Sequence, residues 1–160
     1  MAPISEKMNQ VMNGQIKLEL ESAYIYLSMS TWLKEHSYHR LANWFEIQTK
    51  EEFSHAMKFV HHIVEAGGKV EYSALDKPRS DWSSVQEIIK TAYEHEQFIT
   101  GKINELYNLA EEINERTART ILQWFIDEQV EEEANASELL VLQAAYKNDY
   151  LFDHHTKRKE

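Results

Sequence analysis

The sequence predicts an all-α fold: four long helices in a bundle with one long crossover connection, followed by a short, atypical C-terminal helix or tail. Three observations carry that prediction. Apolar residues recur at alternating steps of three and four along four long segments. Glycine and proline are scarce, four and two residues in a chain of 160, and Gly67-Gly68 and Pro78 fall where the helical spacing stops. Finally, of the three links between the long segments, a single one is long.

The first helical segment runs from about residue 5 to 35 and the second from about 39 to 66, where Gly67-Gly68 is a strong stop signal. The third covers about 84–112 and opens on a capping box, Ser84 with Glu87. Asn114 marks a short break before the fourth, about 115–146. Helices of about 28–32 residues are roughly 42–48 Å long at 1.5 Å per residue, a length that suits a bundle. Short links make the first pair antiparallel and the last pair antiparallel. The link 69–83 contains Pro78 and no helical spacing. Fully extended, it reaches roughly 50 Å, enough to run the length of the bundle and leave the second and third helices parallel. The bundle is accordingly placed at 1–146 and the C-terminal helix or tail at 147–160.

Acidic residues outnumber basic ones, 27 to 17, for a formal net charge of −10. Such a field repels nucleic-acid phosphates and attracts cations, so no nucleic-acid partner is expected. Taken in bulk, the same charge serves solubility alone, and only the positions of the carboxylates separate the two roles. Cysteine is absent, which excludes disulfides, zinc ribbons and thiol catalysis. No basic region followed by an apolar run opens the chain, and no apolar stretch approaches the roughly 18 residues of a membrane-spanning helix. The expected setting is the cytoplasm, with no membrane partner.

Glutamate interrupts every apolar stripe near its middle. On the first helix the stripe reads Met12, Ile16, Glu19, Ala23, Tyr26, Ser30, Leu33, and on the second Leu41, Phe45, Gln48, Glu52, His55, Phe59. On the third it reads Val85, Ile89, Ala92, Glu96, Ile99, Ile103, Leu106, and on the fourth Ala118, Ile121, Phe125, Glu128, Glu132, Asn135, Leu139, Leu142. Mid-helix positions of such a bundle lie at one height, so the four interruptions should meet. One glutamate in a helix ordinarily faces solvent, and one histidine is ordinarily a satisfied core residue. Glu131 and Glu133 on their own read as a surface acidic run. Convergence from all four helices is poorly explained in those terms.

Carboxylates gathered in a low-dielectric interior either cost stability or take up protons. No lysine or arginine lies on these stripes to offset them, and a bound multivalent cation resolves the conflict. Glu52-Phe53-Ser54-His55 sets a carboxylate and an imidazole on one helix face. Oxygen-rich ligation with one nitrogen suits iron or manganese better than copper or thiolate-seeking metals. Iron is the expectation, because a carboxylate-bridged pair reacts readily with dioxygen.

On these residues the chain resembles the non-haem ferritins of bacteria and archaea, from residue 4 to about 145. The most specific pieces are Leu18-Glu19-Leu20 with Tyr24 and Tyr26, Glu51-Glu52-Phe53-Ser54-His55, Tyr93-Glu94-His95-Glu96-Gln97, and Leu122-Gln123-Trp124-Phe125 followed by Glu128-Gln129-Val130-Glu131-Glu132-Glu133. The resemblance implies a ferritin-like fold with a di-iron ferroxidase centre inside one subunit. Glu19, Glu52 and His55 would hold the first iron, with Glu52 bridging to a second held by Glu96 and Glu132 and flanked by Gln129. It also implies a third metal site of Glu51, Glu128 and Glu131 with Glu132. Tyr26 and Trp124 match aromatics able to supply electrons during oxygen reduction, although core packing is the simpler expectation for Trp124. The implied substrates are Fe(II) and dioxygen or peroxide, and the implied assembly is a homo-oligomeric storage shell of twenty-four subunits.

Departures from neighbouring families narrow the expectation. Haem-containing bacterioferritins and the rubrerythrins carry a second Glu-x-x-His on the fourth helix, whereas here Glu128 is followed at the third position by Glu131. Phe53 stands where bacterioferritins place their haem-ligating methionine, so no haem is expected. The C-terminus departs from the non-haem family too. A fifth helix with an apolar face is replaced by Asp149-Tyr150-Leu151-Phe152-Asp153 and a polar stretch from His154 to Glu160. A solvated tail is expected there, with metal binding by His154 and His155 as the alternative. The rival reading of the whole chain is a di-iron oxygenase or peroxidase, which would need an apolar substrate pocket beside the irons.

Overall fold

The computed structural model describes residues 3–158 and is built from α1 (Glu6–Glu35), α2 (His39–Glu65), α3 (Val85–Glu112), α4 (Arg116–Ala145) and α5 (Asp149–His155), with no strand among the described residues. Lys159 and Glu160, the end of the expected tail, and Met1 and Ala2 lie outside the described residues. Among the described residues, no helix is long and apolar enough to cross a membrane.

Hydroxyls cap two of the long helices. Ser5 accepts from the Met8 N–H at 3.1 Å and opens α1, and Ser84 accepts from the Glu87 N–H at 3.1 Å and opens α3. The expected capping box is displaced by one residue, since Glu87 reaches back to the Ser83 N–H at 2.6 Å and not to Ser84. The first three helices end alike. Ser37, Gly67 and Asn114 take left-handed φ values of 65°, 76° and 55°. The next residue's N–H then returns to a carbonyl of the last turn: Tyr38 to Leu33, Gly68 to Ile63, Glu115 to Ala110. Gly68 is also required sterically, because a Cβ there would press into Asn9, Ile4 and Ile63.

The link after α2 runs back along α1 from end to end. Asn13 accepts from the Glu71 N–H at 2.7 Å, Glu21 from the Asp76 N–H at 3.1 Å, and the Trp82 indole N–H reaches Ser28 at 3.3 Å. α3 therefore begins at the end where α2 begins, and the two run parallel, as the length of the link predicts. The apolar core is divided at mid-height. One cluster gathers Met29, Leu33, Leu41, Phe45, Ile88 and Leu139, the other Met12, Ile16, Phe59, Ile103, Leu122 and Phe125. A layer of buried polar side chains separates them.

Two sequence expectations are corrected. On α4 the buried face is Ala118, Leu122, Phe125, Gln129, Glu132, Ala136 and Leu139. Ile121, Glu128, Asn135 and Leu142, expected inside, are half-buried at its edge. The polar Gln129 occupies a central core position, which an apolar-spacing rule passes over. The tail, in turn, is docked on the bundle up to residue 158, although Leu151, His154, His155 and Lys157 face solvent. Asn148 caps α5 by accepting from the Tyr150 and Leu151 N–H groups. Phe152 is fully buried, and Asp153 Oδ1 accepts from the Leu41 N–H at 2.8 Å. That bond caps α2, whose own N-cap Tyr38 supplies no side-chain acceptor.

Candidate metal centre

Each long helix delivers side chains to the layer between the two apolar clusters: Glu19 from α1, Glu52 and His55 from α2, Glu96 from α3, Gln129 and Glu132 from α4, all buried. Ligand atoms of Glu19, Glu52 and His55 lie within 4.8 Å of one another, and so do those of Glu52, Glu96 and Glu132. Glu52 belongs to both groups and stands between two positions for an ion. A third group, His55, Glu128 and Glu132, opens outward from these.

Amides hold the carboxylates in place. Gln15 Nε2 donates to Glu19 at 2.9 Å, and Gln48 Nε2 donates at 2.8 Å to both Glu52 and Glu132. Gln129 Nε2 donates to the Glu96 carboxylate and to its backbone carbonyl, each at 3.2 Å. The Tyr26 phenol donates to the other Glu96 oxygen. Gln48 appears on the predicted stripe without an assigned role, and Gln15 is missed altogether. The available signal is spacing, since each stands four residues before a stripe glutamate, where helical side chains meet.

The electrostatics of the layer are those of a site short of positive charge. Burial, reinforced by Glu52, pushes the Glu19 carboxyl up to about 8. Burial likewise raises Glu52, Glu96 and Glu132, which also repel one another. Tyr26 is held far above its usual range by burial and then by Glu96, so it remains a neutral donor. Burial opposes a charge on His55, yet hydrogen bonding to Glu128 and Glu52 carries it up to about 11. One imidazolium thus faces Glu52 at 3.2 Å and Glu128 at 3.5 Å. The Glu19 Oε2 atom is buried with no hydrogen-bond partner. An orphaned carboxylate oxygen, a surplus of carboxylates and a set of oxygen donors with one nitrogen together fit a pair of divalent ions.

The remaining predicted residues lie at the rim. A cavity of about 570 Å³ borders the centre, with Glu51, Glu128, Glu131 and Glu132 on one side and the C-terminal segment on the other. Glu128 is half-buried and Glu131 exposed. Among the described residues, Glu51, Glu128 and Glu131 do not close into one compact ligand group, and Glu51 is paired with Arg158 instead. Trp124 is not a core residue: it is 38% exposed, its ring lies edge-on to His55 with centroids 5.7 Å apart, and Lys58 Nζ is 3.9 Å from its ring centroid. His154 and His155 enter no metal-binding group among the described residues. His155 is instead stacked on Tyr146 and bonded through Nδ1 to the Leu151 carbonyl.

Fold and site together define a class, a four-helix bundle with a long crossover and, in its middle, a carboxylate-rich layer whose side chains could hold metal ions. The Ferritin-like domain model matches residues 9–144. The chain belongs to that family. It is 36% identical over 137 residues to a non-heme ferritin-like protein of Haemophilus influenzae, covering 86% of this chain and 83% of that one. With a bacterial non-heme ferritin of Staphylococcus aureus it shares 34% identity over 131 residues, covering 82% and 79%. Its structure superposes with a TM-score of 0.93 on an open-pore ferritin from the hyperthermophilic archaeon Archaeoglobus fulgidus, at 36% identity and covering 99% of this chain and 100% of that one.

Proposed function

We propose that this chain is the subunit of a cytoplasmic iron-storage ferritin that oxidises Fe(II) at a di-iron ferroxidase centre within each subunit. The observation that carries the reading is the position of Glu52, shared by the Glu19–His55 group and the Glu96–Glu132 group. In this reading the substrate iron supplies the redox step, each Fe(II) giving one electron to dioxygen or peroxide. Glu19, Glu52 and His55 bind one ion and Glu52, Glu96 and Glu132 the other, with Gln129 beside the second. Gln15 and Gln48 orient the carboxylates, and Tyr26 and Trp124 are the candidate electron donors. Glu51, Glu128, Glu131 and Glu132 conduct or hold a third ion on its way to a mineral inside a hollow shell of twenty-four copies. Residues 1–146 act as the bundle and 147–160 as its C-terminal attachment.

The cavity beside the centre is lined by Trp44, Leu139 and Leu142 as well as by five carboxylates. It is the carboxylates, Glu51, Glu128, Glu131, Glu132 and Glu138, that favour a travelling cation over the apolar substrate of an oxygenase. Glu52→Ala should slow the fast phase of Fe(II) oxidation in air by more than about 100-fold, beyond the roughly 10–100-fold cost of losing an outer-shell partner. Stopped-flow absorbance reads the rate and circular dichroism checks that the helices remain. Unchanged oxidation kinetics in the folded variant would sink the assignment.

A further inference from the structure

Arg158 closes the outer cavity from the C-terminal side. Its guanidinium pairs with Glu51, donates to the Trp44 carbonyl at 3.2 Å, and places Cζ 4.2 Å from the centroid of the Trp44 ring. The side chain is only 8% exposed. Burying a guanidinium is costly unless it is paired and hydrogen-bonded, and here carboxylate, carbonyl and indole face share that task. The segment leading to it is fixed as well: Phe152 and Thr156 are buried, the Thr156 hydroxyl bonds to the Phe152 carbonyl, and Asp153 is bound to the start of α2. Arg158 is therefore held against Glu51 at the wall of the cavity and is no passing contact of a loose end.

We propose that Arg158 is a tethered counter-cation that keeps Glu51 out of metal coordination, so that an ion occupies the outer carboxylates in full only by displacing the guanidinium. The inference rests on the iron-storage reading, in which the outer carboxylates handle a third ion. Glu128 and Glu132 gather with His55 while Glu51 is left to Arg158, which is the division of ligands that a competing cation imposes. A planar guanidinium matches a carboxylate in shape and charge without ligating metal, so it blocks the position reversibly. Arg158 thereby sets how strongly the outer cavity retains iron relative to the inner pair.

Calorimetric titration of the intact assembled protein with Zn²⁺, which has no redox chemistry, tests this. Wild type should take two ions tightly per subunit, and Arg158→Gln should take a third at least about tenfold more tightly than wild type does, the order of a charge-assisted pair removed. Adding Glu51→Gln to that variant should abolish the gain. Phe152 and Asp153 keep α5 docked in both variants, which circular dichroism verifies. If Arg158→Gln binds the outer ion no better than wild type, or if its gain survives Glu51→Gln, the proposal is overturned. The two-ion reading is judged separately, by the inner ions that Glu52→Ala removes: their absence from wild type defeats that reading whatever Arg158 does.

Discussion

Glu19 sits fully buried beside Glu52 with one oxygen unpartnered, and its carboxyl lies at about 8 in the metal-free protein, against an ordinary value of 4.5. A carboxyl raised in the folded state binds more protons folded than unfolded between those two values, so stability falls as pH rises through that window. His55, raised from 6.5 to about 11, acts in the same direction, its contribution being complete below 6.5 and lost as pH passes upward through the folded value. Chelator-treated protein should therefore melt at a lower temperature at about pH 8.5 than at about pH 6, and Zn²⁺ should remove the difference by supplying the missing charge. Glu19→Gln should weaken the dependence in the metal-free protein without abolishing it, since His55 remains. Scanning calorimetry at the two pH values decides it, and a melting temperature that rises with pH would contradict the account. At this scale the buried glutamates Glu19, Glu52, Glu96 and Glu132 are legible in the sequence, because a glutamate on an apolar stripe violates a local rule. Gln15 offers only its spacing, four residues before Glu19, and an amide on a helix violates nothing until its partner is known to be buried.

Among the elements, α2 and α5 depend on each other. α2 begins without a local cap, and Asp153 of α5 supplies one through the Leu41 N–H. Asp153→Ala should destabilise the protein by about 1–2 kcal/mol, the cost of a lost cap whose donor stays buried. Its denaturant midpoint should fall accordingly, whereas a shift within error would show that water replaces the carboxylate. The helices themselves follow from apolar spacing and end signals, and Gly67-Gly68 is plain in the sequence because both glycines have steric work there. Ser37 takes a left-handed φ of 65° in a residue type that gives no such signal. The face of α4 is misjudged by one residue at Ile121, Glu128, Asn135 and Leu142, because Gln129 is polar and central at once.

For the whole molecule, a polar layer between two apolar clusters places the candidate centre where all four long helices contribute. As a storage protein the chain should sediment as one large hollow particle, and sedimentation velocity of the purified protein measures that directly. A monomer or dimer would overturn the storage reading while leaving metal binding untouched. The all-α bundle, the crossover and the meeting of the stripe glutamates are read from the sequence alone, because helical period, link length and charge placement are properties of neighbouring residues. The capping of α2 by Asp153 and the pairing of Glu51 with Arg158 join residues 112 and 107 positions apart. Contacts that distant have no local pattern to announce them, and they exist only because α5 folds back onto the bundle.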